Sequence, residues 1–180
     1  MTFASPRWNL VDGGGTRGLN YGATNGARGP QLLTHAGAMY AVWHERTPGG
    51  ASQVRVARYS GGDATPAWSF VDGSSARGLN RGSGTRAWWG RAASHGDRLY
   101  VAWSENDAGA YRIRVSAGSL LSTALPLWER AALASGLNRH PDSPAEYPHL
   151  VAMGNRLYAT WSERVDGVFR VFVRAFGSSG

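Results

Sequence analysis

Apolar and polar residues alternate with a period of two along most of this chain, and the alternating runs come in pairs. In residues 39–45, Tyr40, Val42 and His44 face one way and Ala41, Trp43 and Glu45 the other. In residues 53–59, Val54, Val56 and Arg58 alternate with Arg55 and Ala57. Both runs are rich in β-branched and aromatic residues and predict strands. The RTPGGAS segment between them reads as a hairpin connection. A shorter apolar run at 31–35, ended by Ala36 and Gly37, predicts a strand upstream. Residues 68–71, ended by Asp72 and Gly73, predict a fourth, and a long loop over about 73–87 follows. No stretch carries the 3.6-residue period of a helix.

The same pattern is written three times. Trp8, Trp68 and Trp128 stand 60 residues apart in a chain of 180. Gly18-Leu19-Asn20 recurs as Gly78-Leu79-Asn80 and Gly136-Leu137-Asn138. Tyr40, Tyr100 and Tyr158 open the hexamers YAVWHE, YVAWSE and YATWSE, and the runs QVRVARY, RIRVSAG and RVFVRAF follow. The reading is a single repeat domain over 1–180, with units at about 13–72, 73–132 and 133–180, the last completed by 1–12.

Four-stranded units of this kind stack as blades of a β-propeller or close as a β-trefoil. The stretch PHLVAMGNRLYATWSERVDGVFRVFVRAF has a strand, a Gly/Asn turn, a Tyr-x-x-Trp strand, a Gly turn and an alternating strand. It resembles blades of bacterial β-propeller repeat proteins of the sialidase-like and kelch-like sort. The resemblance implies an all-β propeller with one blade per unit. The sialidase Asp-box is missing, so no sialidase activity follows, and the trefoil stays open as the alternative. Propellers hold about 4–8 blades, so three do not close a ring. The chain starts with a lone fourth strand at 7–12 and ends after a third strand at 170–176. That phase predicts a homodimer: two chains form a six-bladed ring, and each N-terminal strand completes the last blade of the other.

Composition narrows the picture little. Hydrophobic residues make up 42% and 25 glycines serve the turns, as in a globular β protein. There is no cysteine, hence neither a disulfide nor a thiolate metal site. No run of 18 apolar residues occurs, so the sequence predicts no membrane-spanning helix and no membrane partner. The first residues lack the apolar core of a signal peptide, and the compartment stays undetermined. All 19 basic residues are Arg, and the formal charge is +7. They are spread along the chain, unlike a nucleic-acid-binding arm, and GC-rich coding accounts for the choice of Arg.

The candidate ligand residues divide by how faithfully they repeat. Trp43, Trp103 and Trp161 share a strand face with Glu45, Glu105 and Glu163. They read either as inter-unit packing, with the carboxylate accepting from loop amides or from Arg55 or Arg114, or as a sugar site in which indole stacks and carboxylate binds hydroxyls. Asn20, Asn80 and Asn138 suit a turn or a ligand groove between blades. Arg17 and Arg77 precede two of these tripeptides, where the third unit has Ser135. The unequal loops hold Trp88, Trp89 and Tyr147, which either bind ligand or plug the ring; of the adjacent Trp88 and Trp89, alternation leaves one exposed. Their equivalents are Arg28 and Gly29 in the first unit and Glu146 and Tyr147 in the third. His140, Asp142, Glu146 and His149 lie close in sequence, but the intervening prolines give no ligand spacing, so neither metal nor cofactor is expected.

Catalysis needs differentiated groups, whereas the best-registered polar residues recur in every unit. The expectation is therefore a non-enzymatic, lectin-like module with repeated glycan sites. A plain scaffold is the alternative, and a glycoside-acting enzyme with its site across the ring centre is the third reading.

Overall fold

The computed structural model describes residues 8–62, 64–73, 76–107, 109–119, 128–131 and 136–177. Among them the chain is all-β. The first unit contains β1 (Gly26–His35), β2 (Ala38–Arg46), β3 (Ser52–Tyr59) and β4 (Trp68–Phe70). The second contains β5 (Arg86–His95), β6 (Arg98–Asp107), β7 (Ala110–Ser119) and β8 (Trp128–Arg130). The third contains β9 (Ala145–Met153), β10 (Arg156–Val165) and β11 (Val168–Phe176). Within each unit neighbouring strands pair antiparallel in chain order, and one parallel bridge, Ser52 to Arg86, stitches the first unit to the second.

The alternation predicted for residues 39–45 is real, yet Tyr40, Ala41, Val42, Trp43, His44 and Glu45 are all buried. The second unit covers Tyr40 and Val42, while Leu19, Trp68 and Phe70 of the first unit itself cover Ala41 and Trp43, so period two here separates two cores rather than core from solvent. One core joins Tyr40, Val42, Val54 and Val56 to Leu99, Val101 and Trp103 across the first junction. A second joins Tyr100, Ala102 and Val115 to Leu150, Leu157 and Ala159 across the next. The first strands β1 and β5, and β5 and β9, touch one another, while β4 and β8 lie at the far edges of their sheets. The first strands therefore form the hub side.

One expectation is corrected by the strand bounds. The first strand of each unit begins about five residues earlier than the apolar run implied, because a β-bulge lets the chain keep pairing past it. For the fourth strand expected at 7–12, Arg7 lies outside the described residues, and Trp8 to Asp12 pair with no strand of this chain, since the partner expected for them is the third strand of a second chain. A strand needs an edge to pair with, and the β11 edge stands at the other end of this chain.

Candidate functional site

The residues repeated in every unit form a two-sided rivet at each junction. Trp and Glu two positions apart share a strand face, so the indole Nε1–H donates to the carboxylate at 3.1 Å for Trp43–Glu45 and 2.8 Å for both Trp103–Glu105 and Trp161–Glu163. Each fully buried carboxylate also accepts loop amides: Glu45 from Tyr21 and Gly22, Glu105 from Arg81, Glu163 from Arg139 and His140. Glu45 accepts from the Asn25 amide and Glu105 from the Thr85 hydroxyl in addition. Such charge-assisted bonds offset the cost of burying the charge. The Arg partner considered for these carboxylates is used elsewhere, since Arg55 pairs with Asp72 at 3.4 Å.

The Asn one residue before that anchored amide grips the preceding unit. Asn80 Oδ1 accepts Val54 N–H at 3.1 Å and its Nδ2 donates to Ser52 O at 2.7 Å. Asn138 repeats this with Ile113 N–H at 2.9 Å and Tyr111 O at 3.1 Å. Leu79 and Leu137 add backbone bonds to the carbonyls of Val54 and Ile113. The amides thus do face the groove between units, where they bind the neighbouring strand. In the first unit Asn20 donates to Asn25 O and has no preceding unit to grip. Arg17 and Arg77 are exposed and donate to the carbonyls of Tyr21 and Arg81, four residues onward; Ser135 lies outside the described residues.

The unequal residues gather at the hub. Each first strand shifts register once, at Arg28/Gln31, Trp88/Arg91 and opposite Thr160/Ser162. The bulge puts Gly29, Trp89 and Tyr147 at φ of 63°, 55° and 55°, the left-handed region that bulky residues enter only under strain. It also breaks alternation, so Trp88 and Trp89 are both half-buried instead of one standing exposed. An aromatic run results: His44 meets Trp88 edge-on at 5.1 Å, Trp88 meets Trp89 at 6.5 Å, and Trp89 meets the exposed Tyr147 at 4.2 Å between ring centres.

Four further residues complete the cluster. Arg91 ties two units by donating to the carbonyls of Gly29 and Gly90. His44 Nδ1 accepts Trp89 N–H at 3.3 Å, which places the ring proton on Nε2. Burial first, then the Arg28 and Arg91 charges, hold its pKa down at about 4, so His44 is neutral at pH 7. Arg28, Trp88 and Glu146 pair with the equivalent residues His44, Ser104 and Ser162 and hence occupy one position in three units. Burial pushes the Glu146 carboxyl above its ordinary value. Arg91 flanks the tryptophans in the sequence and Arg28 and Glu146 read there as equivalents of these loop residues, whereas His44 is missed; the Arg/Trp/Glu divergence opposite it at one register position is the signal that points to it. Among the described residues no three His, Asp or Glu side chains cluster as a metal site.

No protein-family model and no curated protein matches the sequence. Solved structures match the fold. One is a thermostable family-43 glycoside hydrolase, 14% identical, with a TM-score of 0.50 over 81% of this chain and 57% of that one. Another is an α-L-arabinofuranosidase from Lactobacillus brevis, 10% identical, with a TM-score of 0.54 over 83% of this chain and 52% of that one. The chain spans about half the length of the structures it matches, which are five-bladed β-propellers. Two expectations change. The fold fits the propeller reading rather than the trefoil. The non-enzymatic, lectin-like or plain-scaffold reading is corrected, because the matched propellers are glycoside hydrolases. The hub position that carries Trp88 in the second unit carries Arg28 in the first and Glu146 in the third, so the three units differ there.

Proposed function

We propose that the protein acts on glycosides at the hub of a β-propeller, with Glu146 as the proton-donating carboxyl and Trp88, Trp89 and Tyr147 as the surface on which the sugar rests. The observation that carries this reading is the burial-raised carboxyl of Glu146 beside the strained aromatic run at the hub. A carboxyl with a raised pKa holds its proton to higher pH and suits general-acid protonation of a leaving glycosidic oxygen. Aromatic faces give rigid, amphipathic area to the apolar face of a sugar. Arg28 and the Nε2–H of neutral His44 supply donors for hydroxyls next to that surface. The faithfully repeated Trp43, Trp103 and Trp161, with their Glu partners and Asn80 and Asn138, belong to the rivets in this reading.

Hydrolysis by paired carboxyl groups calls for a second one facing the first. The equivalent positions in the other two units hold Arg28 and Trp88. In the proposed assembly two chains make six blades in one ring, and the second chain brings its own Glu146 to the same hub. The test is sugar release from a panel of aryl glycosides and arabinose-containing polysaccharides. Turnover is expected, and Glu146→Gln lowers kcat by about 10²–10⁴-fold at unchanged melting temperature. Absence of turnover across the panel, or full activity in E146Q, sinks the proposal.

A further inference from the structure

The two ends of the chain carry the two halves of one junction, both unused. On the leading face of the first unit Leu32 is 62% exposed, whereas its equivalents Ala92 and Leu150 are 3% and 5% exposed beneath the preceding unit. On the trailing face of the third unit Val171 and Val173 are 73% and 63% exposed. Their equivalents Val54, Val56, Ile113 and Val115 lie at 0–7% beneath the following unit. A groove of about 420 Å³ opens on the leading face, lined by Leu10, Leu19, Leu32, Ala41, Trp43 and Trp68.

The polar parts are equally unmatched. A Cβ on Gly78 would fall 2.3 Å from Val54 O and one on Gly136 2.7 Å from Ile113 O, so these glycines are needed where the neighbouring backbone passes. A Cβ on Gly18 would meet nothing nearer than Asp12 Oδ2 at 3.9 Å. Among the described residues nothing donates to Asn20 Oδ1, the atom that in Asn80 and Asn138 receives the preceding strand. Val11 of the N-terminal segment holds the place that Val71, just after β4, holds at the internal junction. Trp68 Nε1 donates to Val11 O at 2.7 Å, as Trp128 Nε1 donates to Val71 O. Yet Trp8 and Leu10 stand 103% and 84% exposed and pair with no strand of this chain.

We infer that Gly18-Leu19-Asn20 is a strand socket for β11 of a second copy of this chain, with residues 8–10 pairing along the outer edge of that β11. The second copy is the fitting occupant because β11 holds the same place in its unit as β3 and β7, the strands that the internal sockets already grip. The inference rests on the two-chain ring proposed above and names its seam. Register follows from the internal seams. Asn20 Oδ1 takes the N–H of the second copy's Val171 and Asn20 Nδ2 gives to its Phe169 carbonyl. Trp8 lies opposite Phe176, and Asn9 opposite Ala175, as Arg58 lies opposite Ser69 and Ala117 opposite Glu129. The seam also covers the open edge of β11, which otherwise invites irregular pairing. It is head-to-tail, and two such seams related by a twofold axis close the ring.

The experiment combines solution mass with cross-linking. The chain has no cysteine, so Asn9→Cys/Ala175→Cys introduces its only thiols. The expected result is a mass of two 19.3 kDa chains for the unmodified protein and, in the double variant, a reducible disulfide linking two chains. Gly18→Asn, a residue that tolerates left-handed backbone, should fold normally and dissociate about tenfold or more readily. A mass of one chain overturns the ring and the seam together. A two-chain mass without the disulfide, or with Gly18→Asn unaffected, overturns this seam while leaving the assembly. A mass above two chains overturns the closed pair.

Discussion

At the scale of residues, His44 shows how position in the repeat decides chemistry. Ser104 and Ser162 stand at the same register position, and Ser104 Oγ donates to Ala145 O at 2.6 Å. His44 instead is buried against Trp88 with Arg28 and Arg91 nearby, and its pKa is lowered to about 4. A group depressed on folding contributes stability above its unfolded pKa, near 6.5, and loses it as pH falls through the folded value. Between pH 6.5 and 4 the folded state should therefore lose roughly 3 kcal/mol, read as falling denaturation midpoints. His44→Ser, which restores what the other units have, should flatten that slope; an unchanged slope would place the acid sensitivity elsewhere. For Glu146 the sign is opposite, because its pKa is raised by burial and its contribution fades as pH rises above the ordinary carboxyl range. Neither role is legible from residue type alone. The divergence of Arg28, Trp88 and Glu146 at one position is visible in the sequence, but the burial that tunes the carboxyl comes from packing around the hub.

At the scale of elements, the paired alternating runs made the strands legible, and the bulges were not. A left-handed residue is normally marked by glycine, and only Gly29 carries that mark; Trp89 and Tyr147 hide it. Their aromatic contacts and the pairing on either side hold them in a conformation they would not choose alone. The Gly-Leu-Asn tripeptide was legible as a turn, and its grip on the neighbouring strand was not, since its partner lies about 26 residues upstream. That grip gives a measurable consequence. Asn80→Ala strands the N–H of Val54, buried at the first junction, and removes one of the bonds to the Ser52 carbonyl. A stranded group costs about 1–3 kcal/mol, and a loss of that order is expected in equilibrium unfolding. Asn20→Ala leaves the single chain nearly untouched, because its one bond is to Asn25 O, and should act only on assembly. Equal destabilisation by the two substitutions at concentrations where the chain is monomeric would remove the distinction between used and unused sockets.

At the scale of the whole molecule, the proposed activity and the proposed assembly predict one another's concentration dependence. One chain presents one raised carboxyl at the hub, while its leading and trailing apolar faces are open to water. In the proposed ring, closing two seams would cover Leu32, Val171 and Val173 and, by the same twofold axis, would set two Glu146 side chains around one hub. Association of two chains is concentration-dependent, whereas a site complete within one chain is not. Specific activity per chain should therefore fall on dilution, with the same midpoint as the two-chain mass, and Gly18→Asn should move both midpoints upward together. Mixing wild-type chains with an excess of E146Q offers the sharper reading. If the reaction needs both carboxyl groups, mixed rings are inactive, and activity falls below the share of wild-type chains, toward its square when subunits exchange freely. Activity that tracks the wild-type share in simple proportion, or that persists undiminished below the dimer midpoint, would mean that each chain works with its own Glu146 alone, and the hub would then have to draw its second group from this chain's own residues.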